Sequence, residues 1–164
     1  MLESPMAPSI RPLTADDEPF LWEMLFQAIH VPDGHPPLSR DVLNLSELAR
    51  YVQGWGRAGD CGFLAAVGEP VGAVWLRLLV GEDRGFGYVA DDTPELSIAL
   101  LPEFRGRGIG TRLLSRLCAA PCGGAPMSLS VSTDNPAARL YRRFGFEVAG
   151  ESGDSLTMLR PTGS

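Results

Sequence analysis

Hydrophobic and polar positions in the first half of the chain predict a strand, two helices and a hairpin. Residues 9–13 have the length of a short strand, and an apolar stripe at helical spacing then runs from Phe20 to Ile29. A second helix is predicted over residues 45–55, ending at Gly54 and Gly56. Apolar runs at residues 62–67 and 71–80 flank a Gly-Glu-Pro turn, which is typical of a β-hairpin.

The second half predicts two strand-to-helix units and a closing hairpin. An apolar strand, Leu96 to Leu101, stops before Pro102, and a stripe at helical spacing follows at Ile109, Leu113, Leu114, Leu117 and Cys118. Residues 127–132 form a further strand, residues 135–145 a further helix, and residues 146–149 and 155–160 a final hairpin. Strands interleaved with helices in this order predict a mixed α/β sheet.

Two loops remain in this pattern. Residues 81–94 are polar and contain glycine, so they form a loop or a ragged strand end. Residues 31–39 are rich in proline and glycine and hold His35. Such a loop either lines a binding site for a second substrate or simply connects two helices, and the sequence leaves both interpretations open.

Composition narrows the class of protein. The 164 residues predict one domain over residues 1–164, and 45% hydrophobic with 21% charged residues is ordinary for a globular chain. A net charge of −6 argues against a nucleic-acid partner and slightly favours a cationic one. Because no apolar run has membrane-spanning length and residues 1–8 do not resemble a signal peptide, we expect no membrane partner and a cytoplasmic location.

The three cysteines do not suggest a disulfide framework, because their number is odd. Cys118 and Cys122 are close in sequence, and with His30 and His35 they allow a metal site. Cys118 lies on the apolar stripe of its helix, however, which favours a buried free thiol. We therefore predict no metal.

The most informative segment is the turn between Leu101 and the helix that follows it. The sequence Arg105-Gly-Arg-Gly-Ile-Gly-Thr111 joins a strand to a helix N-terminus, where backbone N–H groups and the helix dipole favour an anion. Glycines let the backbone approach a bulky phosphate closely, and Arg105 and Arg107 add positive charge. The turn therefore predicts a pyrophosphate site.

Two common nucleotide-binding patterns do not fit this turn. The P-loop needs a Lys followed by Ser or Thr, and the turn has no Lys. The dinucleotide fingerprint counted from Gly106 places Thr111 where Gly or Ala is required. A nucleotide-binding protein is thus a weaker alternative. The pattern Arg-x-x-Gly-x-Gly instead resembles the acyl-CoA-binding motif of the GNAT superfamily of N-acetyltransferases.

A second segment strengthens this resemblance. Residues 135–146 read NPAARLYRRFGF, with Asn135 as a predicted helix N-cap and Gly145 as its left-handed end. Anchored on Tyr141, the segment resembles the second GNAT signature, Asn-x-x-Ala-x-x-x-Tyr-x-x-x-Gly-Phe. The usual asparagine falls on Asp134, one residue before Asn135, so either residue is a candidate for the cofactor contact, with Asn135 preferred.

The resemblance implies a fold, a cofactor and a reaction. The fold is a mixed, mostly antiparallel sheet flanked by helices, with a splayed central strand pair. The reaction is direct transfer of an acetyl group from acetyl-CoA to a primary amine of a small molecule or peptide, and a homodimer is also compatible. The residues that the resemblance assigns to acetyl-CoA are Ile98, Ala99, Leu100, Arg105, Gly106, Arg107, Gly108, Ile109, Gly110, Thr111 and Asn135.

Two residues are candidates for proton transfer. By resemblance the Tyr141 hydroxyl faces the departing sulfur as a general acid, although Tyr141 also lies on an apolar stripe and suits a core aromatic. Glu95 begins the strand before the glycine turn and is the candidate base, acting through water, or else a solvated charge at a strand end. A module that binds acyl-CoA as a sensor, without catalysis, is the alternative function.

Overall fold

The computed structural model describes residues 7–29, 34 and 36–161, in which seven strands form one continuous sheet. The strands are β1 Ser9–Pro12, β2 Cys61–Val67, β3 Glu69–Arg77, β4 Glu95–Leu100, β5 Met127–Ser132, β6 Glu147–Ser152 and β7 Ser155–Arg160. Their spatial order is β1-β2-β3-β4-β5-β7-β6, and all neighbours are antiparallel except β4 and β5. The predicted mixed, mostly antiparallel sheet is confirmed.

Helices cover both faces of the sheet. They are α1 Glu18–Ala28, α2 Ser46–Ala49, α3 Ile109–Ala119 and α4 Ala137–Arg143. One face carries α3 and α4, whose Leu113, Leu117 and Tyr141 belong to a buried cluster with β2–β5 and β7. The other face carries α1 and the segment after α2, whose Met24 and Tyr51 belong to a second buried cluster. The apolar stripes predicted for α1 and α3 are therefore the surfaces that these helices bury.

The central pair of strands separates along its length, as expected. β4 and β5 share a single bridge, Glu95 with Ser128, beside the hydrogen bond from the Ser128 N–H to the Pro94 carbonyl at 3.0 Å. Beyond this point no backbone pairing between the two strands continues, whereas β4 stays paired with β3 from Arg77–Glu95 to Gly72–Leu100. One edge of β4 is therefore left without a partner strand.

The second predicted helix is wrong in length. Instead of residues 45–55, only Ser46–Ala49 is α-helical, and turns follow. The backbone leaves the helical region at Gly54, which has φ +69°, and carbonyls of the segment after α2 accept hydrogen bonds from side chains of β3. The Trp75 indole donates to the Tyr51 carbonyl at 3.1 Å, and the Arg77 guanidinium donates to those of Arg50 and Gln53 at 3.1 and 2.6 Å.

Two boundary predictions need correction. The β2–β3 turn is shorter than predicted, because β3 already begins at Glu69. Strand β3 also ends earlier than predicted, at Arg77 rather than at residue 80. The last hairpin is longer on its first side, because β6 extends to Ser152. Gly145 adopts φ +94°, which confirms its predicted left-handed position after α4.

The prediction that the cysteines form no disulfide is wrong, whereas the prediction that Cys118 is a free thiol is confirmed. Cys61 and Cys122 form a disulfide that joins the start of β2 to the turn after α3, and Cys118 is the free, half-buried cysteine. Because the sulfur of Cys122 is bonded to Cys61, it does not take part in the suggested metal site, and His30 and His35 lie outside the described residues. In the part of the chain that the structure describes, no cluster of His, Cys, Asp and Glu suits a metal ion, and none of the helices there has the length and apolarity to cross a membrane.

Candidate active site

The glycine turn, residues 105–111, lies at the end of β4 and opens α3. Gly106 and Gly108 have φ +75° and +82°, and a Cβ added at either would meet no heavy atom within 4 Å. Glycine is required here because of the left-handed backbone, and the space in front of the turn is open. A ligand can therefore come close to the backbone at both positions.

Backbone donors converge at this turn. Gly108 is the N-cap of α3, and the helical ladder starts with the bond from the Arg112 N–H to the Gly108 carbonyl at 3.2 Å. The N–H groups of residues 109–111 precede this bond, so no helical carbonyl faces them. Together with the positive end of an eleven-residue helix, these donors favour a phosphate anion.

The two arginines of the turn are placed differently. The Arg107 guanidinium lies over the Phe104 ring, 5.3 Å from its centroid, and its residue is exposed. The Arg105 guanidinium instead donates to the Leu100 carbonyl at 3.3 Å, and to the backbone and side-chain oxygens of Gln27 at 3.2 Å. Arg105 thus ties the end of β4 to the end of α1, and its contact with phosphate stays a prediction.

Gly110 connects the turn to the open edge of β4. A Cβ at Gly110 would lie 3.8 Å from the side chains of Ile98 and Leu100 and 4.0 Å from that of Leu140 on α4. The structure therefore brings together the three segments that the sequence singled out, namely β4, the glycine turn and α4.

The open edge of β4 consists of alternate residues. The Leu101 N–H bonds to the Val71 carbonyl of the neighbouring antiparallel segment at 2.8 Å, and the Pro94 carbonyl faces β5. Since backbone groups alternate along a strand, Ile98 and Leu100 direct theirs toward β5, beyond the point where pairing stops. Ala99 has the opposite orientation, with its backbone toward β3 and its side chain buried against the α1 face. Of the predicted three, Ile98 and Leu100 therefore direct their backbone groups to the open edge, and the Leu100 carbonyl already accepts the Arg105 Nε–H at 3.3 Å.

Glu95 is not the solvated strand-end charge that the sequence allowed. It is 2% exposed, and it lies at the vertex where β4 and β5 separate. Its Oε2 accepts a hydrogen bond from the Tyr51 hydroxyl at 2.6 Å and another from the Gly87 N–H at 3.3 Å, whereas its Oε1 has no partner within the described chain. Burial raises the pKa of this carboxyl, and the hydrogen bonds from Tyr51 and Gly87, the nearby Gly85 N–H and the charge of Arg50 oppose that effect.

Tyr141 lies on the other face of the sheet. It is 8% exposed in the core cluster beneath α3, and its ring meets that of Phe146 edge-on at 5.9 Å. Burial raises the pKa of its hydroxyl to about 12. The hydroxyl makes no hydrogen bond to any group in the described residues. Its location satisfies both interpretations of Tyr141, the core aromatic and the proton donor, so the catalytic role stays a prediction.

Asn135 has a clear local function. Its Oδ1 accepts a hydrogen bond from the Ala137 N–H at 2.9 Å, one residue before the N-cap of α4, which is Pro136 rather than the predicted Asn135. This contact leaves the amide N–H₂ of Asn135 as the part of the side chain that can reach a ligand.

Sequence reasoning missed the residues that enclose Glu95. Tyr51 is 44 positions away along the chain and lies in a segment that was predicted as ordinary helix. Gly85 and Gly87 lie in the 81–94 loop, and a Cβ at Gly85 would overlap the Glu95 carboxylate and the Tyr51 hydroxyl. A Cβ at Gly87 would come within 2.6 Å of the β5 backbone at Leu129. Glycines inside a polar loop were the only signal of this close approach.

Comparison with known proteins places this arrangement in a family. Residues 59–148, more than half of the chain, match the family model described as an acetyltransferase (GNAT) domain. Mycothiol acetyltransferase from Thermobispora bispora is 38% identical over 112 residues, which are 66% of this chain and 37% of the relative. N-alpha-acetyltransferase RimI from Mycobacterium tuberculosis is 41% identical over 76 residues, 41% of this chain and 48% of that protein. The chain thus spans a third to a half of the length of these relatives.

A solved structure shares the whole fold. The putative acetyltransferase yncA from Salmonella typhimurium, determined with acetyl-CoA, superposes with a TM-score of 0.67 at 22% identity. The superposition covers 97% of this chain and 96% of the other.

Proposed function

Because this chain belongs to the acetyltransferase (GNAT) domain family, we propose that it moves an acetyl group from acetyl-CoA to a primary amine. The observation that carries the proposal is the placement of the glycine turn beside the unpaired edge of β4. A pyrophosphate suits the turn, and an amide-containing arm suits the edge, where it would pair with the backbone as an added strand does. Coenzyme A joins both groups in one molecule.

The residues fit this co-substrate unequally. The backbone of residues 106–111 would hold the pyrophosphate, and the backbone groups of Ile98 and Leu100 would pair with the arm. Arg107 would add charge from its exposed position, whereas Arg105 would act by fixing the end of β4. Ala99 contributes less in this assignment, because its backbone faces β3. Acetyl-CoA supplies the activated thioester.

An acceptor that arrives as an ammonium ion loses two protons: one to a base before the attack, which frees the nitrogen lone pair, and one as the amide forms, which ends on the departing thiolate. The amine nitrogen forms a bond to the acetyl carbon, the carbon–sulfur bond breaks, and no covalent bond to the protein is needed. A free alkylammonium has a pKa of about 10.4, so a base is needed near neutral pH. In the proposal Glu95 is the base that takes the first proton, because burial raises its pKa above the ordinary carboxyl value.

Tyr141 has a more limited role in the proposal than full proton donation. Its pKa is raised to about 12, while thiols have a pKa of about 8.5, so complete transfer of the tyrosine proton to a thiolate is uphill. A hydrogen bond from the hydroxyl to the departing sulfur has no such cost. Because Tyr141 and Glu95 lie on opposite faces of the sheet, the leaving group and the first amine proton would depart in different directions.

Charge distribution favours a cationic acceptor. Residues 1–100 carry fifteen acidic and six basic side chains, whereas residues 101–164 carry five acidic and eight basic ones. The glycine turn belongs to the basic part and suits an anion, and Glu95 with its surrounding loops belongs to the acidic part. An amine that approaches as an ammonium ion is attracted to the acidic part around Glu95.

Release of free thiol from acetyl-CoA in an acceptor panel tests the proposal. The panel contains the deacetylated form of mycothiol and peptides with free N-termini, because the relatives are a mycothiol acetyltransferase and an N-alpha-acetyltransferase, together with lysine and a polyamine. We expect acceptor-dependent thiol release that Glu95→Gln lowers most near neutral pH and less at high pH, where free amine is abundant. Binding of acetyl-CoA without thiol release for any acceptor would favour the sensor.

A further inference from the structure

Tyr51 links the buried carboxyl of Glu95 to the loop that covers it. The residue follows α2, is 8% exposed, and its ring stacks on that of Phe86 with centroids 6.4 Å apart. Its hydroxyl donates to Glu95 Oε2 at 2.6 Å and accepts the Phe86 N–H at 2.8 Å. One oxygen atom thus connects β4, the segment after α2 and the 81–94 loop.

The direction of these two hydrogen bonds is determined by the loop. A backbone N–H can only donate, so the Phe86 N–H occupies an acceptor site of the Tyr51 oxygen. The single hydroxyl proton is therefore directed to Glu95. Burial and the nearby Glu95 charge hold the pKa of Tyr51 well above its ordinary value, so the proton stays on the tyrosine. A donor of this kind stabilises an ionised carboxylate more than a neutral one.

Tyr51 supplies the direct side-chain hydrogen bond to the carboxyl. Among the described residues that surround Glu95, Arg50 acts only at a distance, because its guanidinium donates to the carbonyls of Glu82 and Arg84. Arg77, the neighbour on β3, is paired with Asp60 at 2.8 Å. The loop contributes backbone N–H groups from Gly85 and Gly87, and β5 contributes Ser128, whose Oγ has no partner in the described chain.

We infer that Tyr51 is a positioning residue, whose hydroxyl holds Glu95 Oε2 so that the buried Oε1 is the oxygen that accepts the proton of the amine through water. Oε2 already accepts hydrogen bonds from Tyr51 and Gly87, and a proton placed there would compete with both donors. Oε1 has no hydrogen-bond partner in the described chain and is therefore the oxygen that can take a proton without displacing a hydrogen-bond donor. The inference rests on the proposed role of Glu95 as the base.

Tyr51→Phe removes the hydrogen bond while it keeps the ring and its packing. We expect the midpoint of the Glu95 carboxyl titration, followed by carbon NMR of labelled glutamate, to move upward by about one to two pH units. In the pH profile of kcat/KM, the midpoint of the acidic limb should move to higher pH by the same amount. Activity should therefore fall at low pH and recover at high pH. Tyr88→Phe is the matched control, because the Tyr88 hydroxyl donates to Asp91 on the exposed surface. In this variant the midpoint of the Glu95 titration and that of the acidic limb should both stay at their wild-type values.

A second variant separates positioning from loss of structure. Gly85→Ala keeps every donor but introduces a Cβ that overlaps the carboxylate and the tyrosine hydroxyl, so it should also raise the Glu95 midpoint. Unchanged midpoints in Tyr51→Phe, whether or not its thermal stability falls, would overturn the inference. If Glu95→Gln retains the acidic limb, Glu95 is not the base and the proposed mechanism fails. If Glu95→Gln abolishes the limb but Tyr51→Phe does not move it, only the positioning role fails.

Discussion

The glycine turn makes a prediction in which strain and ligand binding can be separated. Gly108 has φ +82° and open space where its Cβ would be, and Gly68, in the β2–β3 turn, has φ +76° and equally open space. Glutamate at either position suffers the same left-handed strain and adds the same charge. Only Gly108 belongs to the proposed phosphate site, so Gly68→Glu is the matched control for Gly108→Glu.

The expected magnitudes follow from the size of the chain and from this strain. A non-glycine residue in the left-handed region costs about 1–2 kcal/mol. A chain of 164 residues has an unfolding entropy of about 0.34 kcal/mol/K near its Tm, so each variant should lose about 3–6 °C without ligand. Coenzyme A at 100 times its Kd should stabilise the wild type by about 2.7 kcal/mol, or about 8 °C.

Thermal unfolding with and without coenzyme A measures both effects, and calorimetric titration measures the affinity. We expect both variants to lose similar stability without ligand, Gly68→Glu to keep the full shift in Tm, and Gly108→Glu to lose it. The loss has a physical cause, since a carboxylate side chain would stand where the pyrophosphate approaches the helix N-terminus. A folded Gly108→Glu protein that binds coenzyme A with wild-type affinity would refute the assignment of the turn.

Three further perturbations test the acid, the base and the disulfide. Tyr141→Phe should lower kcat by about ten- to a hundredfold, the range for one hydrogen bond to a charged group, while coenzyme A affinity and Tm stay unchanged; a fall in Tm with unchanged kcat would make the hydroxyl structural. Because burial raises the native pKa of Glu95, its contribution to stability is complete below the unfolded value of about 4.3 and is lost as the pH rises through the raised native pKa. Glu95→Gln should therefore flatten the decline of Tm over that pH range, and an identical decline in the variant would contradict the shift. The Cys61–Cys122 bond closes a loop of 61 residues, worth about 4 kcal/mol in the chain-entropy model, so a reductant should lower Tm by about 12 °C at most. Cys118→Ser should respond to the reductant as wild type does, and Cys61→Ser should not respond; a Tm of Cys61→Ser equal to that of the oxidised wild type would contradict the stabilising role.

The parts of this protein that its sequence determined are those with short-range signals. The strand that ends before Pro102, the glycine turn and the apolar stripe of α3 are encoded within about twenty consecutive residues. The left-handed Gly145 marks the end of α4 in the same way and is confirmed, and the start was predicted to within one residue, because Pro136 rather than Asn135 is the N-cap. Backbone conformation, capping and the face that a helix buries depend on neighbours within a few positions, so they can be predicted before the fold is known.

Only the tertiary structure decided the environment of Glu95 and the conformation of the segment that covers it. Its partner Tyr51 comes from 44 positions upstream, and carbonyls of the segment after α2 accept hydrogen bonds from side chains of β3. The disulfide likewise joins cysteines 61 positions apart, and the odd number of cysteines concealed it. Burial, hydrogen-bond partners and pKa values depend on which distant segments the fold brings into contact. No local pattern in the sequence indicates those long-range contacts.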